Sequence, residues 1–324
     1  MDKSTSKCET LRVEEILSHE NAENLEVIPV WGYTCVVGRG QFQVGDLICY
    51  IPPESIVDTT RPEFSFLHRK RDKEKITVKK LRGVISQGLI LKVPDFAQEG
   101  QDLSEYFGVE HYSVPEDCIV KEGILTVKPP PGQWQKYDVD SARKYNRLFS
   151  PGEPVFISQK INGANYRCCF REGKQYVGAR TTWKSEDYEE KAWWNALTPN
   201  MRKFCEENPS LSLYGELCGQ VKGFRYFNTP TFLAFDIARF DWTFLDVQEF
   251  LDLTQKYEIP TVPVLKVNHP FDYQECCELA EGQSSLNSSV VNEGVVIKPM
   301  RERWDKRLGR VCLKIVGNDY LAKS

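Results

Sequence analysis

Val155-Phe-Ile-Ser-Gln-Lys-Ile-Asn-Gly-Ala-Asn-Tyr-Arg167 is the stretch on which the rest of the chain depends. Val155, Phe156 and Ile157 form an apolar run that predicts a buried strand, and Tyr166, Cys168 and Phe170 alternate as a second strand after a turn at Asn162-Gly163. Lys160 stands where the first strand ends. A lysine at that place points into a cleft between two sheets, where a phosphate can reach it, and reads as a covalent nucleophile. Lys160 and Gly163 make a Lys-x-x-Gly element, of which a chain this long carries about one by chance. This chain has them at Lys80, Lys160, Lys306 and Lys314. Context selects Lys160, which ends an apolar strand and is followed by Asn165 and then by Arg180.

The 324 residues suffice for two domains with a core each, and 27% charged with 12% aromatic residues describe an ordinary globular protein. No apolar run of about 18 residues offers a membrane helix, and the start Met1-Asp-Lys-Ser-Thr-Ser-Lys7 has no signal-peptide core. A monomer in the cytoplasm or nucleus, away from membranes, is the expectation. Of eleven cysteines none is spaced Cys-x-x-Cys, and Cys35, Cys49, Cys168, Cys218 and Cys312 fall on apolar stretches as small hydrophobes. His19, His68, His111 and His269 pair with no cysteine at ligand spacing, so a structural zinc is not expected. A net charge of −4 excludes a protein that coats nucleic acid through bulk charge, and any polyanion site must be a local patch.

From Thr10 to about Lys128 short apolar runs alternate with Gly, Pro and Asp: Leu25 to Val30, Tyr33 to Val37, Asp46 to Ile51 and Leu89 to Val93. That pattern predicts a small β-barrel domain over residues 1–128. The run His68 to Arg82 is strongly basic and offers Lys79 and Lys80 as phosphate contacts. Three prolines in Val127-Lys-Pro-Pro-Pro-Gly-Gln-Trp134 stiffen the chain into a linker, and a second domain occupies 129–324. There Asp138 to Leu148 predicts an amphipathic helix with Arg143, Lys144 and Arg147 on its polar side. Ser185 is expected to cap another helix, and Thr198-Pro199 to open one that stops near Asn208. Strand-like runs at 211–217, 231–237, 293–298 and 311–316 carry Glu216, Asp236, Glu293, Lys298 and Lys314, which an apolar core does not need. Together these point to a site.

In order and spacing, Lys160-Ile-Asn-Gly163, Tyr214-Gly-Glu216, Phe235-Asp236, Glu293-Gly-Val-Val-Ile-Lys298 and Leu313-Lys314 resemble the motifs of covalent nucleotidyltransferases, the superfamily of RNA ligases, DNA ligases and capping enzymes. Gln159-Lys-Ile-Asn-Gly-Ala-Asn165 with Arg180 is most similar to ATP-dependent RNA ligases. The barrel ahead of that domain resembles the OB domain of the Deinococcus and Naegleria type. The resemblance implies an α+β fold, an OB-like barrel followed by a domain of antiparallel sheets flanked by helices. It implies that Lys160 takes AMP from ATP, with Gln159 and Ile161 beside the nucleotide. By the same resemblance Asn165 and Glu216 hold the ribose, Arg180 holds ribose or phosphate, Phe235 stacks on adenine, and Lys298 and Lys314 meet phosphates. Glu293 and Glu216 are its implied ligands for Mg²⁺ or Mn²⁺, and Asp236 stands behind the site. Two departures are Asn162, where many relatives have an acid, and Val316, where several have a second lysine.

A free lysine has a pKa of about 10.4, so Lys160 must be brought to its neutral form before it attacks phosphorus. Neighbouring Lys298 and Lys314, a divalent cation and a partly dry cleft all favour that form. The expected activity is sealing of 3′-OH and 5′-phosphate RNA ends at nicks in duplexes, through lysyl-AMP and RNA-adenylate. DNA ligases and capping guanylyltransferases usually carry an OB domain after the last motif, whereas here only Gly317 to Ser324 follow, which counts against both. A non-catalytic RNA-binding protein is the alternative from another class.

Overall fold

Alternating apolar residues make strands feed two cores at once, and the central strand of the N-terminal half shows it. In Leu47–Ile51, Ile48 and Tyr50 enter one cluster with Ile28, Val30, Cys35 and Ile90, while Cys49 and Ile51 enter another with Val57, Phe64 and Phe107. The computed structural model describes residues 7–67, 72–111, 126–131, 137–186, 192–219, 226–241 and 243–323. Its described residues divide into two compact units. The first draws on Met1–Ser113, Asp140–Asn146 and Asn318–Ser324, the second on Val114–Val139 and Arg147–Gly317.

In the first unit Leu47–Ile51 lies between Glu9–Arg12 and Leu89–Lys92, and Leu25–Val30 lies between Leu17–Ser18 and Tyr33–Gly38. The strands expected at 25–30, 33–37, 46–51 and 89–93 are thus present within a residue or so at each end. Lys79–Leu81 and Val84–Ser86 form a hairpin whose first strand and turn are exposed while its second strand packs inward. Its turn residues Arg82 and Gly83 both have positive φ, 47° and 98°, the form of two-residue turn that follows strand twist. His19 Nε2 bonds the carbonyl of Leu81 at 3.0 Å and Asn21 donates to that of Arg82 at 3.1 Å, so the hairpin is braced from one side. The basic run before it at 68–71 lies outside the described residues.

The helix expected over 138–148 is shorter, Ala142–Tyr145, followed by a 3-10 turn at Asn146–Leu148. Its basic residues are not arrayed on one polar side. Arg143 is buried, with its carbonyl accepting from Gly32 N at 2.8 Å, and Lys144 pairs with Glu9 at 2.5 Å beneath the Trp31 ring. Only Arg147 is exposed. Periodicity located the polar residues but could not show that Glu9 and Trp31 come back to meet them.

Two large antiparallel sheets lie in the second unit. Four of its strands run in the order Leu313–Val316, Gly294–Pro299, Pro154–Lys160, Val264–Pro270. The other sheet runs Thr126–Val127, Trp183–Lys184, Lys174–Gly178, Ala164–Arg171, Leu211–Cys218, Thr231–Arg239. Pro154–Lys160 and Ala164–Arg171 are therefore consecutive but not paired: the turn read at Asn162-Gly163 carries the chain from one sheet to the other. Gly163 permits the crossing, because a Cβ there would stand 2.6 Å from the carbonyl of Leu217 and 2.8 Å from Cγ of Glu216.

Behind the six-stranded sheet, Tyr166, Cys168 and Leu213 pack on Met201, Phe204 and Phe250 of two helices. Pro199–Glu207 begins as expected, with Thr198 Oγ1 accepting from Met201 N at 3.2 Å, and ends at Asn208. Val247–Lys256 opens on an Asp246/Glu249 capping box. The start of the helix expected after Ser185 falls on 187–191, outside the described residues; Ala192–Asn195 is helical and Trp193 is buried in the core. The ten described cysteines are free thiols, and Cys35, Cys49, Cys168, Cys218 and Cys312 are all buried. Among the described residues no helix is long and apolar enough to cross a membrane.

Candidate active site

Strand register explains why distant lysines share one cleft. Residues directly opposite each other on paired strands face the same side, and so do residues two apart. Lys160 opposes Gly294, Ser158 opposes Val296 and Phe156 opposes Lys298, while Val296 in turn opposes Lys314. Lys160, Lys298 and Lys314 therefore lie on one face of that sheet. Ser158, Lys160, Val296 and Lys298 line a cavity whose other wall includes Glu216, Phe235 and Tyr137. Val316 opposes Gly294 at the end of the same face.

At the crossover Lys160 Nζ lies 2.6 Å from Glu293 Oε1. Glu293 is 8% exposed, and its Oε2 is buried with no hydrogen-bond partner among the described residues. The strand edge at Gly294 comes so close to its neighbour that a Cβ there would meet the carbonyl of Ile315 at 2.0 Å, which places Glu293 at the rim of the sheet. Glu216 comes from the other sheet, opposite Asn165. Burial pushes its carboxyl up to about 8, Lys160 pulls against that shift, and Glu293 adds to it. Asn165 Oδ1 is also buried without a partner. Unpartnered buried oxygens on Asn165 and Glu293 beside the Glu216 carboxyl are suited to hydroxyl groups and a hard cation. The described residues contain no group of three or more His, Cys, Asp or Glu that could hold a metal by itself. A cation here needs oxygens from substrate or water as well.

One irregularity in the second sheet builds the back of the cleft. Tyr214 pairs with Asp236 and Gly215 with Ala234, so Phe235 is an extra residue in a β-bulge. The bulge turns Phe235 toward the cavity and leaves its carbonyl to accept from Lys298 Nζ at 3.1 Å. Asp236, fully buried, takes Lys298 at 3.2 Å, Arg310 at 2.7 Å and the Tyr137 hydroxyl at 2.7 Å. Burial alone would raise the Asp236 carboxyl, but Arg310, Lys298 and Tyr137 hold it below the usual carboxylate range. Arg310 also pairs with Glu302 and stacks 3.6 Å from the Phe244 ring centre, and Tyr137 lies 4.6 Å from Phe235.

Of the residues singled out in the sequence, Lys160, Glu216, Asn165, Phe235, Glu293, Lys298 and Lys314 come together in this unit around the two sheets. Lys298 differs from expectation: it lines the cavity but is 1% exposed and already held by Asp236 and a carbonyl. The Gln159 side chain is engaged by Ser284 and Ser285, which leaves its main chain and Ile161 to line the cavity. Arg180 pairs with Asp138. Tyr137 and Arg310 were not found by sequence reasoning. Tyr137 follows the proline-rich stretch with no apolar pattern around it, and Arg310 stands outside every motif, although Trp304-Asp-Lys-Arg-Leu-Gly-Arg310 carries a hairpin signal that could have placed it.

The site thus places a lysine at the junction of two antiparallel sheets, with carboxylates from both and lysines from one around it. The model of the RNA ligase family matches residues 153–316, half of the chain, and the chain belongs to that family. An OB-fold domain model matches residues 9–93. Among solved structures, a Naegleria gruberi RNA ligase variant with ATP and Mn is similar over 98% of both chains at 23% identity and a TM-score of 0.83. A second variant with AMP and Mn matches over 98% of both at 24% identity and TM-score 0.83, and the enzyme with PPi over 97% of both at 24% and 0.80. At these identities the likeness establishes the fold. No significant match was found among curated proteins.

Proposed function

We propose that this protein is an ATP-dependent RNA ligase that seals 3′-OH and 5′-phosphate RNA ends at nicks in duplexes. The observation that carries the reading is the pair Lys160–Glu293 at the sheet crossover, with a buried carboxylate oxygen left over. Lys160 Nζ, once released from Glu293 and deprotonated, attacks the ATP α-phosphorus; the P–N bond forms, the P–O bond to pyrophosphate breaks, and lysyl-AMP remains. An RNA 5′-phosphate oxygen then attacks that phosphorus and frees Lys160. Last, the neighbouring 3′-OH attacks the activated 5′-phosphate and AMP leaves. Phe235 offers a face for adenine, Asn165 and Glu216 accept from ribose hydroxyls, and Arg180 and Lys314 serve the phosphates. Lys298, held in the wall, contributes positive charge to the cleft. Glu293 and Glu216 would hold Mg²⁺ or Mn²⁺, which when bound offsets charge building on the α-phosphate oxygens. The solved relatives with ATP, AMP and Mn support this use of nucleotide and metal.

Glu293→Ala is expected to slow AMP attachment by about 10²–10³-fold, the cost of removing one preorganised electrostatic group, and to raise the metal concentration needed. A metal titration of AMP uptake checks it; an unchanged midpoint would assign the metal to other residues.

RNA contact is assigned to the exposed hairpin strand bearing Lys79 and Lys80 and to Arg147, with Arg143 and Lys144 acting through the structure they hold. Reversing both hairpin charges, Lys79→Glu with Lys80→Glu, is expected to weaken binding of nicked RNA and lower the salt slope of log affinity by roughly two, while AMP uptake persists. Filter binding across a salt series reads it, and an unaltered slope would move the contact elsewhere.

A further inference from the structure

Residues 301–310 form an element outside the family motifs, of which the root residues Glu302 and Arg310 support the wall of the nucleotide cleft while the rest stands away from it. Trp304–Asp305 pairs with Gly309–Arg310 as a two-stranded ribbon, closed by Lys306, Arg307 and Leu308. Asp305 Oδ1 accepts from Arg307 N at 2.9 Å and Leu308 N at 3.1 Å, and Gly309 has φ +85°, so the tip is a fixed turn. The root is fixed too. Arg303 pairs with Glu153 at 2.9 Å and donates to the carbonyl of Leu148 at 2.6 Å, next to exposed Arg147, while Arg310 is locked to Glu302 and Asp236.

On this rigid ribbon Trp304 is 59% exposed. Its ring lies across Gly309, where a Cβ would stand 3.5 Å from Cζ3 and 3.7 Å from Cε3. One part of the indole is thus seated on backbone while the rest is bare. The glycine leaves room for the ring to lie over the backbone, and the opposite side of the indole stays open to solvent. Around it Arg301, Lys306 and Arg307 are exposed and make no ion pair among the described residues. An exposed aromatic face on the same short ribbon as three exposed cations, of which Arg307 also acts on Asp305, matches a nucleic-acid strand, since every base has a π-face and every link a phosphate. An acidic peptide would match the cations but would not need a flat ring.

We propose that the ribbon 301–310 is an RNA-contact site for the single-stranded RNA flanking the nicked duplex, in which an unpaired base stacks on Trp304 and neighbouring phosphates meet Arg301, Lys306 and Arg307. The inference rests on the RNA-ligase reading and extends it to residues outside the motifs. Arg303, joined to the Leu148 carbonyl, makes the ribbon continuous with Arg147, and Arg310 anchors its root to the wall that holds Lys298.

The test is anisotropy of a labelled, nicked RNA duplex with a 5′-phosphate and a single-stranded extension, measured on full-length wild type, Trp304→Ala, Trp304→Phe and the double variant Lys306→Glu/Arg307→Glu across a salt series, with AMP uptake followed in parallel to report an intact cleft. Trp304→Ala is expected to weaken binding about 5- to 100-fold, and Trp304→Phe to recover most of it, as loss and return of one stacked base. The double variant is expected to lower the salt slope by roughly two. Wild-type affinity and slope in both Trp304→Ala and the double variant would overturn this site while leaving the ligase reading intact. Absence of both RNA binding and AMP uptake in the wild type would overturn that reading and the site with it.

Discussion

Lys160→Ala is expected to abolish attachment of AMP to the protein, and Lys160→Arg to do the same. The two variants fail for different reasons, which makes the pair informative. Alanine removes the nucleophile and leaves the Glu293 carboxylate without its 2.6 Å partner. Arginine keeps a cation beside Glu293 but cannot deliver a neutral amine at accessible pH. Loss of adduct in both, with unchanged thermal unfolding in the arginine variant, separates nucleophilic chemistry from support of the fold. RNA whose 5′ end already carries AMP bypasses the first step, so both variants are expected to retain some sealing of that substrate. Persistent adduct in either would place the nucleophile on another residue.

Asp236→Ala is expected to cost roughly 3–5 kcal/mol of stability, the usual result of stripping the partner from a buried charge. Lys298 is 1% exposed and has Asp236 as its only carboxylate among the ion pairs of the described residues; Arg310 retains Glu302. Replacing both members, Asp236→Leu with Lys298→Met, is expected to recover much of that loss, because no bare charge is left behind. The pH dependence follows from the lowered carboxyl of Asp236. A carboxyl whose folded value lies below its unfolded value of about 3.9 contributes stability that is present above that value and lost as pH falls through the folded one. The gap between wild type and Asp236→Ala should therefore be flat from pH 5 to 8 and close below pH 4. Denaturant unfolding over that range checks it, and a gap that persists undiminished at pH 3 would rule out charge as its origin.

Much of the arrangement was legible in the chain because strands announce themselves by period and motifs by order. Leu25–Val30, Tyr33–Gly38, Leu211–Cys218 and Thr231–Arg239 lie where alternating apolar residues placed them. Lys160 was separable from Lys80, Lys306 and Lys314 by the strand before it. What was not legible depended on pairing at long range. Nothing local tells that Ile161–Gly163 passes between sheets instead of closing a hairpin, since Asn162-Gly163 suits either. The bulge at Phe235 is visible only once Thr231–Arg239 is in register with Leu211–Cys218. It is the bulge that lets neighbours Phe235 and Asp236 both serve the cleft side, against the alternation a regular strand imposes. Arg143 and Lys144 read as surface charge because Gly32, Glu9 and Trp31 lie more than a hundred residues away in the chain.

Intact-protein mass after incubation with ATP and Mg²⁺ or Mn²⁺, with GTP in parallel and the modified peptide mapped, tests the central claim most directly. The account predicts one AMP per chain from ATP and not from GTP, located on Lys160. Unmodified protein after incubation, with a starting mass that already excludes bound AMP, would contradict it.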